Sequence, residues 1–141
     1  MVYSWGSNKF GELGIGNLYS KKTPTLIEDF PGPVRIVRAG HGFSAAISDI
    51  GQLYMWGNGS NGKLGNGSES NEKFPKKLSA LSDICIMDVK LGAGHVLAYA
   101  DTGSNDRNRS ILKIYSAEKN FLAHMRLVCN VSYFAKNSFG K

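Results

Sequence analysis

Trp5-Gly6 and Trp56-Gly57 stand at the same place in two copies of one pattern. Val2-Tyr3-Ser4-Trp5-Gly6-Ser7-Asn8 returns as Leu53-Tyr54-Met55-Trp56-Gly57-Asn58-Gly59. Gly11-Glu12-Leu13-Gly14 returns as Gly62-Lys63-Leu64-Gly65, and Pro24 as Pro75, every pair at a spacing of 51 residues. After a one-residue insertion the second halves match too. Val37-Arg38-Ala39-Gly40 aligns with Val89-Lys90-Leu91-Gly92, and Ala46, Asp49 and Gly51 align with Ala98, Asp101 and Gly103, now at a spacing of 52. A unit of this length, with Gly and aromatic landmarks in register, restricts the chain to a stacked repeat architecture such as a propeller. Such units build surfaces by stacking, and two are too few to close a ring.

Each unit reads as four short strands punctuated by Gly, Pro, Asn and Asp. The first unit places strands near 2–5, 25–28, 34–39 and 44–48. The second places them near 53–56, 76–79, 85–91 and 96–100. Alternation along Cys85-Ile86-Met87-Asp88-Val89-Lys90-Leu91 puts Cys85, Met87, Val89 and Leu91 on one face and Asp88 and Lys90 on the other. The segments around Gly51 and Gly103 read as tight turns. Four strands joined by turns make a small twisted sheet, so each unit is expected to be one blade. The fold class is therefore all-β: a partial β-propeller of two four-stranded antiparallel blades, with an irregular or short-helical C-terminal tail.

The string Gly51-Gln-Leu-Tyr-Met-Trp-Gly-Asn-Gly-Ser-Asn-Gly-Lys-Leu-Gly65 resembles the repeat of the regulator of chromosome condensation family, and Gly94-His95-Val96-Leu97-Ala98 resembles that family's Gly-His-small-x-Ala segment. The resemblance covers about residues 1–103 and implies a propeller that in the family usually has seven blades. On it, Trp5, Gly6, Gly11, Gly14, Gly40, Trp56, Gly57, Gly62, Gly65, Gly92 and His95 are repeat-defining structural positions. His95 is implied to be an internal hydrogen-bonding residue that ties a turn to a neighbouring strand. Three departures stand out. Phe43 occupies the place of the repeat histidine in the first unit, only two units are legible, and the sequence opens inside a strand at Val2. The last suggests missing sequence or a truncated product.

The domain reading is two repeats, 1–51 and 52–103, followed by a basic polar linker and tail over 104–141. Ile114-Tyr115-Ser116 matches Val2-Tyr3-Ser4, which makes a degenerate third repeat one reading of the tail. Phe121, Leu122, Met125 and Val128 have helical spacing, which makes a short amphipathic helix another. A disordered tail is a third.

Net charge is +6, and its location matters more than its size. Residues 1–103 hold ten Lys/Arg against nine Asp/Glu, while residues 104–141 hold seven against two. The blades are nearly neutral and the tail carries the charge. Weak phosphate contact through the tail is the most this supports, because no dense Lys/Arg block is present. No apolar run approaches a membrane span and no signal sequence opens the chain. Cys85 and Cys129 fit no metal or redox spacing and read as reduced thiols. Localisation in the cytoplasm or nucleus follows.

Two glycine motifs tempt. Gly57-Asn58-Gly59-Ser60-Asn61-Gly62 fits G-x-G-x-x-G, but a dinucleotide site needs a helix whose N-terminus holds the pyrophosphate, and Lys63-Leu64-Gly65-Asn66-Gly67 is a poor start. Read as a phosphate loop, the same segment places Leu64 where magnesium needs Ser or Thr. These glycines belong to the repeat. His41, His95 and His124 share no ligand spacing, and no carboxylates complete a catalytic or zinc set. Trp5 and Trp56, each followed by Gly at an identical place, read as blade packing rather than partner anchors. No catalytic, cofactor or metal residues are assigned, and the chain is read as a non-enzyme.

The function expected is a protein–protein interaction module, part of a larger repeat protein. The resemblance implies an alternative, guanine-nucleotide exchange on a small GTPase, or a share in it. A truncated, non-functional piece is the third reading. The partner expected is a protein, a small GTPase among the candidates, and self-association to cover open blade faces is expected as well.

Overall fold

A computed structural model describes residues 1–28 and 30–100, and the backbone of residues 111–114. The strands in chain order are β1 (Tyr3–Gly6), β2 (Lys21–Leu26), β3 (Val34–Ala39), β4 (Phe43–Ser48), β5 (Leu53–Gly57), β6 (Glu72–Lys77), β7 (Ile86–Leu91), β8 (Val96–Ala100) and β9 (Ile111–Ile114). They form three antiparallel sheets ordered β1-β2, β3-β4-β5-β6 and β7-β8-β9. Two short 3₁₀ turns, Ser60–Gly62 and Ser79–Leu81, interrupt the loops.

All-β blades are therefore present, but their grouping differs from one blade per repeat. The complete four-stranded blade joins the second half of the first repeat, β3 and β4, to the first half of the second, β5 and β6. The hinge of this grouping is the turn Asp49-Ile50-Gly51. Gly51 takes φ +80° and its N–H donates to Ser48 O at 3.0 Å, while Ser48 N–H donates to Gln52 O at 2.9 Å. A tight hairpin turn makes its two flanking strands neighbours in one sheet, whereas the segment between β2 and β3 spans the gap between sheets. Sequence repeat and blade are thus out of phase by half a unit.

Packing follows from β5, which is buried along its whole length. Its alternating side chains serve two cores. Leu53 and Met55 join Phe43, Ile47, Leu64, Ile86, Val89, Val96 and Ala98 between the second and third sheets. Tyr54 and Trp56 join Ala46 and Ile27, with Val2, Ile15, Phe30 and Val34 packed around them, between the first and second. Each fully buried large side chain contributes about 1.5–3 kcal/mol. The middle blade holds its neighbours through both faces.

Several strands differ from the sequence expectation. β2 and β6 run over Lys21–Leu26 and Glu72–Lys77, earlier than 25–28 and 76–79, because Gly6 pairs with Lys21 and Gly57 with Glu72 across their loops. In β7 the buried residues are Ile86 and Val89, not the alternating set from Cys85 to Leu91; Cys85 is exposed. The reason is a break in register between Ile86 and Asp88, which inserts an extra residue and shifts the alternation. The same break lies between Val34 and Ile36 in β3.

β9 adds to β8, with Val96 opposite Ile114 and Tyr99 opposite Ile111. The corresponding pairs in the complete blade are Ser44 opposite Trp56 and Ile47 opposite Leu53. Ile111 thus takes the place of Leu53, three residues ahead of the match drawn from Ile114-Tyr115-Ser116. Backbone pairing, not local likeness, decides the register. The expected helix over 117–129 lies outside the described residues, as do His124, Cys129 and most of the basic tail.

Candidate interaction surface

The strand registers place four connections at one end of the blades: 7–20 after β1, 40–42 after β3, 58–71 after β5 and 92–95 after β7. Contacts across the sheets confirm the alignment. Ser44 Oγ donates to Glu12 O at 2.8 Å, and a β-carbon placed on Gly40 would lie 3.0 Å from Leu91 Cβ.

Loop 7–20 is organised by Asn8, which is fully buried. Its Oδ1 accepts the Leu13 N–H at 2.9 Å, and its Nδ2 donates to Asn17 O at 2.8 Å and Tyr19 O at 3.3 Å. One side chain closes the loop from three sides. This leaves Leu18 and Tyr19 outside, 48% and 75% exposed. Sequence reasoning passed over Asn8. The cue available was a polar residue two places after Trp-Gly, but the second copy has Gly59 there, so the repeat concealed it. Loop 58–71 is held instead by Asn71 Oδ1, which accepts Gly59 N–H at 3.0 Å, and by Asn66 Nδ2 on Glu72 Oε1 at 3.0 Å. Ser60 and Asn61 are exposed at its tip.

The repeat glycines divide by what surrounds them. Gly14, at φ +72°, has Trp56 Nε1 where a β-carbon would come within 2.7 Å, so the indole lies directly on its backbone. Gly57, at φ +101°, faces Gly42 O at 2.6 Å by the same measure. Both positions combine a left-handed backbone with a close approach that only glycine permits. Gly11 lies against Lys73 Cα and Gly40 against Leu91, which lets the sheets approach. Gly6 and Gly62 have open space around them, and Gly65 closes a turn by donating to Gly62 O at 2.9 Å.

Trp5 and Trp56 part company. Trp56 is 3% exposed and its Nε1 donates to Glu12 O at 2.9 Å, whereas Trp5 is 59% exposed. Trp56 packs in the cluster between the first and second sheets, whereas Trp5 meets no facing blade among the described residues. His95 also departs from expectation. It is exposed rather than internal, its ring lies against Gly92, and the bond closing its turn is made by backbone, Gly92 N–H to His95 O at 2.8 Å. Phe43, at the same place in the first repeat, is fully buried because the third sheet covers it.

Two electrostatic features border this end. Asp88 on β7 accepts from Arg38 of β3 at 2.9 Å through Oδ1 and from Lys90 at 3.0 Å through Oδ2. Burial pushes its carboxyl up, but the bonds from Lys90 and the Val89 N–H and the nearby charges of Arg38 and Lys90 outweigh this and hold it below the usual carboxylate range. Lys63 is 7% exposed with its ammonium 5.4 Å from the centre of the Phe43 ring, and burial lowers its pKa. Among the described residues no group of His, Cys, Asp or Glu could hold a metal ion, and no helix is long and apolar enough to cross a membrane.

Stacked antiparallel blades, seated on one another through a Trp-Gly landmark, define a β-propeller repeat protein. The chain belongs to the regulator of chromosome condensation (RCC1) repeat family, whose model matches residues 1–47 and 51–99. It is 41% identical over 113 residues to the human E3 ubiquitin-protein ligase HERC2, covering 75% of this chain and 2% of that protein. It is 36% identical over 83 residues to the ultraviolet-B receptor UVR8 of Arabidopsis thaliana, covering 57% of this chain and 19% of that protein. Among solved structures, Prp20p of Saccharomyces cerevisiae aligns with a TM-score of 0.57 and 26% identity over 64% of this chain and 24% of that one; it is described with its binding to Gsp1p and histones. Human WBSCR16 aligns with a TM-score of 0.56 and 25% identity over 72% of this chain and 29% of that one. The chain thus spans a small part of each relative, and the ligase or receptor activity named for them is theirs.

Proposed function

We propose that the chain is a non-enzymatic protein–protein interaction module whose repeats, 1–51 and 52–103, form part of a larger RCC1-like propeller. The observation that carries this reading is the gathering of long, side-chain-braced loops at one end of the blades, with Leu18 and Tyr19 presented outward by a buried Asn8. A braced loop with exposed apolar and aromatic side chains binds with little ordering cost. A nuclear or cytoplasmic protein is the setting this reading expects.

The likeness to Prp20p, described as binding Gsp1p and histones, supports a protein partner and favours a small GTPase as the first to try. Calorimetric titration of the chain with a nucleotide-free small GTPase, and separately with histones, tests it. Leu18→Asp with Tyr19→Asp should abolish binding while leaving thermal unfolding unchanged. Binding that survives this double substitution would remove loop 7–20 from the interface.

Guanine-nucleotide exchange is the second reading, favoured by the same likeness. Exchange requires a surface that stabilises the nucleotide-free GTPase over the loaded one. Faster release of labelled nucleotide in the presence of the chain supports it; an unchanged release rate with measurable binding leaves interaction alone.

A further inference from the structure

The described strands divide as two, four and three, and the four-stranded sheet shows what each partial sheet lacks. β1 repeats β5. Tyr3 opposite Leu26 and Gly6 opposite Lys21 match Tyr54 opposite Lys77 and Gly57 opposite Glu72. β5 has β4 on its other edge, whereas β1 has no strand there among the described residues. Its aromatic side chains show the difference: Tyr54 and Trp56 are 4% and 3% exposed, Tyr3 and Trp5 50% and 59%.

β8 repeats β4, and the strand beside it is β9. β4 reaches β5 through the tight turn at residues 49–52, but β8 reaches β9 only through residues 101–110. A longer connection costs more entropy to close. By register, Ile111-Leu112-Lys113-Ile114 holds the place of Leu53-Tyr54-Met55-Trp56, so the blade-seating tryptophan is missing there. One edge therefore carries the right strand without a neighbour, and another carries a neighbour without the right strand.

We propose that, where these 141 residues stand alone, the β1–β2 hairpin of one copy adds to β8 of a second copy in place of β9, completing a four-stranded blade in the order of β3-β4-β5-β6. The occupant is a second copy of this chain because the contact continues one the chain already makes between β4 and β5. Transferring that register puts Trp5 opposite Val96, Ser4 opposite Leu97 and Tyr3 opposite Ala98. The Trp5 indole then meets the Lys63 carbonyl, which stands in the second repeat where Glu12 receives Trp56 in the first.

Each copy donates at β1 and receives at β8, so the contact is heterologous and continues until a ring closes. Every copy adds two complete blades, and since propellers hold about 4–8 blades, closed rings contain two to four copies. Outer-edge strands do not compete, because Pro24 and Pro75 interrupt the donor rows of β2 and β6.

Size exclusion with light scattering of the 141-residue chain over a dilution series tests this. The expected result is a species of two to four chains that dissociates on dilution. Trp5→Ala should shift the mass towards that of one chain. A second variant, carrying Ile111→Leu, Leu112→Tyr, Lys113→Met and Ile114→Trp, gives β8 a better strand of its own and should also shift the mass towards one chain. Non-specific aggregation would respond in the opposite sense, since that variant is more apolar and has lost a charge. A wild-type chain that stays single at every concentration, or a β9 variant that associates as strongly as the wild type, overturns the proposal.

Discussion

The indole N–H of Trp56 donates to the backbone carbonyl of Glu12 at 2.9 Å, across the junction between the first and second sheets. The same carbonyl receives Ser44 Oγ at 2.8 Å, so one loop peptide ties two strands of the next blade. With the indole ring resting on Gly14, this is how one repeat seats on the next.

Trp56→Ala removes the ring and leaves a cavity, which should lower stability by about 3–5 kcal/mol. Trp56→Phe keeps most of the apolar volume and loses one hydrogen bond to a carbonyl that Ser44 still serves, so about 1 kcal/mol is expected. Trp5→Ala in the single-chain species should change stability by less than about 0.5 kcal/mol, because its ring is largely in water. Urea unfolding of the three variants checks the order.

Gly14→Ala and Gly62→Ala separate backbone strain from collision. Both glycines have positive φ, +72° and +66°. At Gly62 nothing lies within 4 Å of a new β-carbon, so only the left-handed penalty of about 1–2 kcal/mol applies. At Gly14 the new carbon meets Trp56 Nε1 at 2.7 Å, so the loss should be distinctly larger and accompanied by a change in tryptophan fluorescence. Equal losses would mean that the indole can move aside.

Asp88 makes the contact between β3 and β7 acid-sensitive. Its carboxyl ionises below the usual range in the folded chain, so its stabilisation is present above the unfolded carboxylate pKa and is lost as pH falls through the folded value. Arg38 and Lys90 are substantially exposed, which limits the contribution to about 1 kcal/mol or less. Asp88→Asn should flatten the acid side of the stability profile, measured by unfolding midpoints from neutral pH down into the carboxylate range.

Lys63→Met should leave stability unchanged or raise it. The ammonium is desolvated and faces an aromatic ring rather than a carboxylate, so a thioether of similar length keeps the packing and removes the cost of burying charge. Thermal unfolding at neutral pH decides it; a lower midpoint would show that the contact with Phe43 outweighs desolvation.

Much of the candidate interaction surface was unreadable in the sequence, for identifiable reasons. Asn8 braces its loop alone, with Gly59 at the matching place in the second repeat, so comparing the copies hid it. His95 resembled a buried repeat histidine, yet its exposure depends on what covers it, and Phe43 at the same place is buried only because the third sheet lies over it. The alternation from Cys85 to Leu91 was real in the residues but was broken by one unpaired backbone position between Ile86 and Asp88.

The repeat period, the all-β class and the family were determined by residue order alone, because Gly, Pro and Trp constrain turns and packing locally wherever they occur. Three things were decided only by tertiary structure: the phase of the blades, the buried fate of Trp56 against the exposed fate of Trp5, and the register of β9. A tight turn at Gly51 groups strands by which edges can pair, and a repeated side chain is buried only where another sheet faces it. Identical sequence units therefore acquire different roles from their neighbours, which no comparison of the units with each other can show.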